Sequence, residues 1–353
     1  MTAPAPSPDR SGPALFLVLL VMVALIVVAW GVNHPQAPET PSPAPAQAAP
    51  PDPILPTEPP SEPPSESPSQ LPVEPGPSTE PTDVPPPASG VDATLPGGRY
   101  RVFAGNHFLV AYYGTAGTGA LGVLGETSPD VMQRRVTRAA RPFARPGQPL
   151  QVVYELIVTI ADRGPGPDGD FSHDIDRDAV RRYIAAAERH DALLLLDIQP
   201  GRSDFLDAAK RWEWALRHPN VGLALDPEWR MGRREVPGTV IGSVGAAEVN
   251  RVSAWLSELA VAHDLPEKLF VLHQFRTAMI DNIDRIRQRP RLALVQHVDG
   301  FGTRAQKRAT YGVVARPQQF TMGFKLFYDE DVNRMGPREV HRLRPPVRFI
   351  SFQ

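Results

Sequence analysis

The chain contains no cysteine among its 353 residues. This absence excludes a disulfide framework, a lipid attached to a cysteine and a metal site built from thiolates. No compact Gly-x-Gly-x-x-Gly run follows the first apolar segment of the folded region, and no motif indicates nucleic-acid binding. The function therefore has to be sought in other side chains and in the architecture that positions them.

Lysine and arginine are absent between residues 33 and 90. Of these 58 residues, 21 are proline and eight are acidic. Such a composition cannot bury enough apolar surface to fold, and proline favours the extended polyproline II conformation. We expect residues 33–96 to be a disordered stalk, with a reach on the order of 180 Å if fully extended.

Charge is also absent from residues 13–32, which are almost entirely apolar. As a helix, residues 14–32 would be about 28 Å long, enough to cross the hydrocarbon core of a bilayer. The alternative is a cleaved signal peptide, but its nearest small-residue cleavage site, at 46–48, lies far downstream. We expect a transmembrane anchor at 13–32. Because Arg10 precedes the span and no basic residue follows closely, we expect residues 1–12 to be a cytoplasmic tail and the folded domain to lie outside the cell membrane.

Apolar segments typical of strands alternate with amphipathic or polar segments over the rest of the chain. There are eight of them, at 108–114, 150–160, 192–199, 221–229, 268–275, 291–299, 321–329 and 347–352. Helices are predicted from Ser128 onward and at 177–190, 203–217, 246–263, 277–288, 303–314 and 337–343. This number of strands, in about 260 residues, predicts a monomeric (β/α)8 TIM barrel over residues 97–353. An open, doubly wound parallel sheet is the alternative.

Polar side chains concentrate where the predicted strands end, whereas the strands begin with apolar residues. In a (β/α)8 barrel the carboxyl ends of the strands carry the active site. The fourth segment ends with Asp226 and Glu228, which alternation along a strand would place on one face. Glu228 is the predicted general acid, and Asp226 is predicted to orient it or raise its pKa. The alternative is a structural pair that caps loop amides or meets Arg230 or Arg233.

A second carboxylate across the barrel would complete the pair that most glycosidases use. Asp299 is our first choice, with Asp197 and Asp329 as alternatives. Further residues at the strand ends are predicted to bind the substrate: Tyr112, Tyr113, Asp197, Gln199, Trp229, His273, Gln296, His297, Lys325 and Tyr328. The aromatic residues among them either stack on a sugar ring or pack within the protein.

Three other polar features of the sequence are interpreted separately. Glu155 lies in the middle of an apolar strand, and we interpret it as structural, paired with Lys325 or an arginine inside the barrel. The aspartates of the 161–176 loop could bind Ca²⁺, but their spacing is not that of an EF-hand and favours a solvated loop. His273 and His297 correspond to two imidazoles of metal-dependent amidohydrolases, but the first strand has no His-x-His and no aspartate follows the eighth. No metal or cofactor is therefore expected.

The Asp226-Pro227-Glu228 ending of the fourth strand resembles the Asp-x-Glu of chitinase-type and related lysozyme-type glycoside hydrolases. The fuller motif has two further aspartates before the glutamate, but Ala224 and Val221 occupy those positions in this chain. The resemblance implies that Glu228 is the acid and that Asp226 helps to position the acetamido group of the substrate. We therefore expect a membrane-anchored glycoside hydrolase that acts on a cell-wall or extracellular polysaccharide. The alternative is a non-catalytic barrel that binds wall glycan or a partner protein.

Overall fold

The computed structural model describes residues 93–353. The predicted anchor at 13–32 and almost all of the predicted stalk lie outside the described residues. Within residues 93–353, no helix has the length and apolar character needed to cross a bilayer.

Eight parallel strands form a closed barrel. They are β1 (Phe108–Gly114), β2 (Leu150–Ala161), β3 (Leu193–Ile198), β4 (Val221–Leu225), β5 (Lys268–Gln274), β6 (Leu292–Val298), β7 (Thr321–Leu326) and β8 (Val347–Phe352). Each strand pairs with the next in chain order. The barrel closes because β1 pairs with both β2 and β8, with Leu109 opposite Gln151 on one side and Phe349 on the other. This closure confirms the predicted TIM-barrel class and excludes the open sheet.

The helices surround the barrel. They are α1 (Pro129–Ala140), α2 (Arg177–Arg189), α3 (Phe205–Lys210), α4 (Glu213–Leu216), α5 (Ala246–Ala262), α6 (Arg304–Val314) and α7 (Pro337–Val340). Asp176 caps α2 by accepting hydrogen bonds from the backbone of Asp178 and Ala179, and Thr303 and Gln306 form a capping box at the start of α6. Three short strands, at Ser172–Asp174, Val244–Gly245 and Ile280–Asp281, lie in the connections.

Two layers of apolar side chains explain why the strands are almost continuously hydrophobic. Outward residues such as Val110 and Leu223 pack with the helices, whereas inward residues such as Ala111 and Val271 fill the barrel. Leu95, at the beginning of the folded region, joins the inner layer near the amino ends of the strands. The inner layer is thus mainly apolar near its base, although Gln151 is buried there, and most of the buried acidic and histidine side chains lie toward the opposite end of the barrel.

Two predicted helices differ from the structure. The 277–288 segment forms two short 3-10 turns around the strand Ile280–Asp281, because Asn282 has a left-handed backbone conformation with φ 54° that ends any regular helix. The 203–217 segment is broken into α3 and α4, with Trp212 fully buried at the break.

Two strands also end several residues earlier than predicted. β4 ends at Leu225, and Pro227–Trp229 form a 3-10 turn in which the Asp226 carboxylate accepts a hydrogen bond from the Glu228 backbone. Glu228 is therefore positioned by this turn and not by strand alternation. β7 ends at Leu326, so that Tyr328 and Asp329 belong to the following loop.

Candidate active site at the carboxyl end of the barrel

Along several strands, an apolar inward-facing side chain is followed, at the next inward position, by a polar one. Leu195 is followed two residues later by Asp197, Ala224 by Asp226, Val271 by His273 and Val295 by His297. Side chains two residues apart on a strand share a face, so these polar groups stand directly above the inner apolar layer. All four are buried. The barrel therefore brings together residues that are far apart in the chain.

His273 lies at the centre of this cluster. Its Nδ1 is 3.0 Å from Asp299 Oδ2, and its Nε2 is 3.1 Å from Glu155 Oε1 and 3.7 Å from Asp197 Oδ1. A carboxylate can only accept hydrogen bonds, so this environment favours the doubly protonated ring. Burial alone lowers the pKa of His273, but the hydrogen bonds to Asp299 and Glu155 and the surrounding negative charge raise it well above its ordinary value. His273 is thus a fixed positive charge among carboxylates.

Glu155 is a member of this cluster that the sequence prediction had placed outside the candidate site. It is fully buried, and its partner is His273 instead of the expected Lys325 or arginine. The signal in the sequence was an acidic residue inside an apolar strand, which is costly unless the charge is compensated. The interpretation of Glu155 as paired was correct, but its place beside His273 makes it part of the candidate site.

Tyr113 connects the first strand to the third. Its hydroxyl donates to Asp197 Oδ2 at 2.9 Å and accepts from Gln199 Nε2 at 3.3 Å. Burial, together with the nearby charge of Asp197, raises the pKa of Tyr113 well above its usual value, so the hydroxyl remains a donor. Burial raises the pKa of Asp197 to about 6, although the positive charge of His273 opposes the shift.

Lys325 supplies the second positive charge. Its Nζ lies 3.4 Å from the centre of the Tyr113 ring, a cation–π contact, and 4.0 Å from Asp299 Oδ2. Burial raises the pKa of Asp299, but the His273 hydrogen bond and the charges of His273 and Lys325 outweigh burial and leave the pKa below its ordinary value. Asp299 is therefore ionised at neutral pH.

The pKa of Glu228 shifts in the opposite direction to that of Asp299. Burial and the negative charge of Asp299 raise its pKa to about 7, against the opposing charges of Lys325, His273 and Arg276. The pKa of Asp226 is raised well above its usual value, first by burial and then by the neighbouring carboxylates. Two carboxyl groups that influence each other, Glu228 and Asp299, thus have pKa values on opposite sides of their ordinary values, so that at pH 7 Asp299 is ionised and Glu228 is protonated in about half of the molecules.

His297 differs from His273 in its charge. Its Nε2 is 3.1 Å from Ser351 Oγ, and its ring centre is 5.3 Å from that of His273. Burial, together with the positive charges of His273 and Lys325, lowers the pKa of His297 well below its ordinary value. His297 is therefore a neutral ring.

Some predicted binding residues lie away from this cluster. Tyr112 points into the outer layer, where it packs edge-on against Tyr328 and its hydroxyl lies 3.1 Å from the Tyr328 hydroxyl. Gln296 also faces outward and donates to the Val314 carbonyl of α6. Trp229 is half-buried in the turn after β4. The predicted binding residues that belong to or border the cluster inside the barrel are Tyr113, Asp197, Gln199, His273, His297 and Lys325.

The aspartates of the 161–176 loop have protein partners. Asp162 meets His173 at 2.6 Å, Asp174 meets Arg211 at 2.8 Å, and Asp176 caps α2. Between residues 93 and 353, no group of three or more acidic or histidine side chains is arranged to hold a metal ion. The contacts of this loop are those of a structural loop.

A buried ion pair, which the sequence did not indicate, supports the loops of the site. Lys307 of α6 lies with its Nζ 2.9 Å from Asp331 Oδ1 and donates to the carbonyl oxygens of Gly300 and Lys325, each at 2.9 Å. Asp331 Oδ2 accepts from the Phe327 backbone at 3.0 Å. The pair therefore joins the chain just after Asp299 to the end of β7, which carries Lys325.

A depression of about 480 Å³ lies at the opposite end of the barrel, beside the first residues of β1 and β2, where its lining includes Arg99, His107 and Gln151. The buried carboxylates and imidazoles are not part of it. Because chemistry depends on these groups, we place the candidate site at the carboxyl end.

Comparison with known proteins gives no family for this chain: it matches no protein-family model and no curated protein.

Proposed function

We propose that the barrel is a glycoside hydrolase that acts by carboxylate acid/base catalysis. The observation that carries the proposal is the pair formed by Glu228, whose pKa is raised to about 7, and Asp299, whose pKa is lowered. Glycosidases need one carboxyl group that donates a proton to the leaving oxygen and one that is ionised. The two carboxyl groups follow β4 and β6, at the end of the barrel where TIM-barrel enzymes carry their active sites.

In this proposal Glu228 is the proton donor, and Asp299 is the base or nucleophile. His273 and Lys325 keep Asp299 ionised through their positive charges. Asp226 positions Glu228, because its carboxylate accepts the Glu228 backbone N–H at 3.2 Å. The half-buried Trp229 and Phe301 near the barrel mouth offer aromatic faces for a sugar ring.

The proposed location comes from the amino-terminal sequence. An apolar span at 13–32 would anchor the chain, and the proline-rich stalk would hold the barrel outside the cell membrane, within reach of a cell-wall or extracellular polysaccharide. Protease added to intact cells should remove the barrel if this orientation is correct. Protection of the barrel until the cells are lysed would contradict it.

Hydrolysis is tested by incubating the full-length chain with peptidoglycan, chitin-type polymers and α- and β-glucans and measuring released reducing ends. We expect Glu228→Gln to lower the rate by about 10²- to 10⁴-fold, because the general acid is lost. The matched control is Glu258→Gln on the exposed face of α5, which should retain the wild-type rate. Equal rates for the Glu228→Gln and wild-type chains would refute the assignment. Binding of a glycan without hydrolysis would favour a non-catalytic barrel.

A further inference from the structure

The amino end of the barrel is rich in arginine. The connections that lead into the strands contain ten arginines, no lysine and three acidic residues: 93–107, 141–149, 190–192, 217–220, 263–267, 288–291, 315–320 and 341–346. Because all eight strands are parallel, these connections lie together at one end of the barrel. We call their outer surface the arginine face.

The opposite end of the barrel is acidic. The connections that leave the strands contain fifteen acidic residues and seven arginines: 115–128, 162–176, 199–204, 226–245, 275–281, 299–303 and 327–336. Acidic residues remain in excess even when Asp226 and Glu228, whose pKa values are raised, are counted as neutral. The barrel therefore presents positive charge at one end and negative charge at the other.

Neighbouring connections join the arginine face into one surface. The turn that follows α1 meets the end of α7, where His341 Nε2 lies 3.1 Å from the Phe143 carbonyl oxygen. Arg99 and Arg141 line the same depression beside the first residues of β1 and β2. The arginines that precede β1, β2 and β8 therefore lie side by side, since these three strands are adjacent in the barrel.

Three arginines of this face have no partner among the described residues. Arg141, Arg145 and Arg342 are exposed, and their guanidinium groups make no ion pair or hydrogen bond within residues 93–353. Arg291 differs from them, because it donates to Asp264 at 2.9 Å. Like charges on one surface repel one another, and an anionic ligand would remove this repulsion.

A phospholipid surface fits this distribution of charge. Guanidinium groups match the oxygens of phosphate in geometry and charge. The arginines are spread over several connections instead of along one groove, so a planar array of phosphates contacts more of them than a single phosphate or a linear chain. Thr94 and Leu95 lie at this end as well, and the anchor expected at residues 13–32 is joined to the barrel through them.

We propose that the arginine face docks on an anionic phospholipid surface and that the acidic carboxyl end points away from it. Each arginine close to such a surface contributes about fivefold to the binding constant. Docking presents the candidate site to a polymer outside the membrane instead of to lipid. The inference does not depend on the proposed glycosidase activity.

The orientation is measured with fluorescent labels. The chain has no cysteine, so one introduced cysteine gives a single label at a chosen end. Ala144→Cys labels the arginine face and Ala120→Cys labels the carboxyl end, and both alanines are exposed. Each full-length chain is reconstituted with vesicles that carry an energy acceptor on their headgroups, made of phosphatidylcholine alone or of equal parts phosphatidylcholine and phosphatidylglycerol. We expect strong energy transfer from the Ala144→Cys label with the anionic vesicles only, and weaker transfer from the Ala120→Cys label.

Removal of charge tests whether the docking is electrostatic. Replacing Arg141 and Arg145 with glutamine in the chain that carries the Ala144→Cys label should lower the ratio of docked to undocked barrel roughly thirtyfold. The matched control removes the same charge from the carboxyl end, through Arg233→Gln and Arg234→Gln, and should not lower this ratio. Raising the ionic strength from about 0.1 M to about 1 M shortens the screening length from about 10 Å to about 3 Å and should release the barrel.

Equal transfer with neutral and anionic vesicles, or a closer approach of the Ala120→Cys label than of the Ala144→Cys label, would overturn the proposal. An equal loss of docking in the two double variants would do the same. The comparison of vesicles uses chains that retain every arginine, so it decides the question even where a double variant misfolds. Absence of transfer with anionic vesicles, together with a rise in the anisotropy of the Ala144→Cys label on addition of long-chain polyphosphate, would assign the face to a linear polyanion and refute docking on lipid.

Discussion

Replacing Glu228 with glutamine should make the folded protein more stable at alkaline pH while it removes activity. In the folded chain the pKa of Glu228 is raised from 4.5 to about 7, first by burial and then by the charge of Asp299. Above pH 7 the folded protein must therefore hold a carboxylate that its surroundings disfavour. Glutamine has nearly the same shape and carries no charge, so the variant avoids this cost.

The size and sign of the effect follow from proton linkage. A shift from 4.5 to about 7 corresponds to at most about 3.5 kcal/mol, and the partial exposure of the side chain reduces our expectation to about 1–2 kcal/mol. Between pH 4.5 and 7 the folded state binds more protons than the unfolded state, so Glu228 lowers the stability of the wild-type protein as pH rises through this window. The advantage of Glu228→Gln should be close to zero at pH 4 and constant above pH 8.

Urea unfolding of both chains at pH 4.5, 6, 7 and 8.5, followed by tryptophan fluorescence, measures the difference in unfolding free energy. The control, Glu258→Gln, should show no such pH dependence, because Glu258 is exposed on α5. A Glu228→Gln chain that is less stable than wild type at pH 8.5, or a difference that does not change with pH, would refute the argument that Glu228 is held as an acid at a cost to stability.

Three further changes test other parts of the structure. Lys268 is buried against backbone carbonyls, and its pKa is lowered to about 7. Lys268→Met should therefore stabilise the protein by about 2–4 kcal/mol at pH 7, and this gain should disappear as the pH approaches 10.5. A loss of stability in urea at pH 7 would contradict this prediction. Lys307→Met should instead lower the unfolding free energy by about 3–5 kcal/mol in the same assay, because it leaves Asp331 buried without a cation. Adding Asp331→Asn should restore part of the lost stability. A double variant no more stable than Lys307→Met would argue against the ion pair. Gly242→Ala would place a Cβ 2.7 Å from the Glu228 carbonyl oxygen, so we expect sugar release to fall at least about tenfold through distortion of the turn. Unchanged kinetics in that variant would show that the turn tolerates displacement.

The positions of the strands could be predicted from the sequence because a strand buried on both faces is a local pattern of apolar residues. All eight predicted segments contain barrel strands, and α5 and α6 also lie where the sequence indicated. The prediction of a helix at 277–288 was wrong. The segment contains Asn282, whose left-handed conformation depends on the local turn and not on hydrophobic periodicity. The location of polar residues at the carboxyl ends of the strands was equally a property of the sequence alone.

Which of those polar residues meet was decided only by the tertiary structure. Because side chains alternate along a strand, only one of the neighbours Tyr112 and Tyr113 can face the barrel interior, and the register of β1 turns Tyr113 inward. The contact between Glu155 and His273 joins residues of β2 and β5, so no local pattern could reveal it. The opposite pKa shifts of Glu228 and Asp299 likewise depend on burial and on distances between charges, which the chain acquires only on folding. The sequence by itself determined the strands and the composition of their ends, whereas folding selected the partners, because electrostatic interactions depend on separation in space.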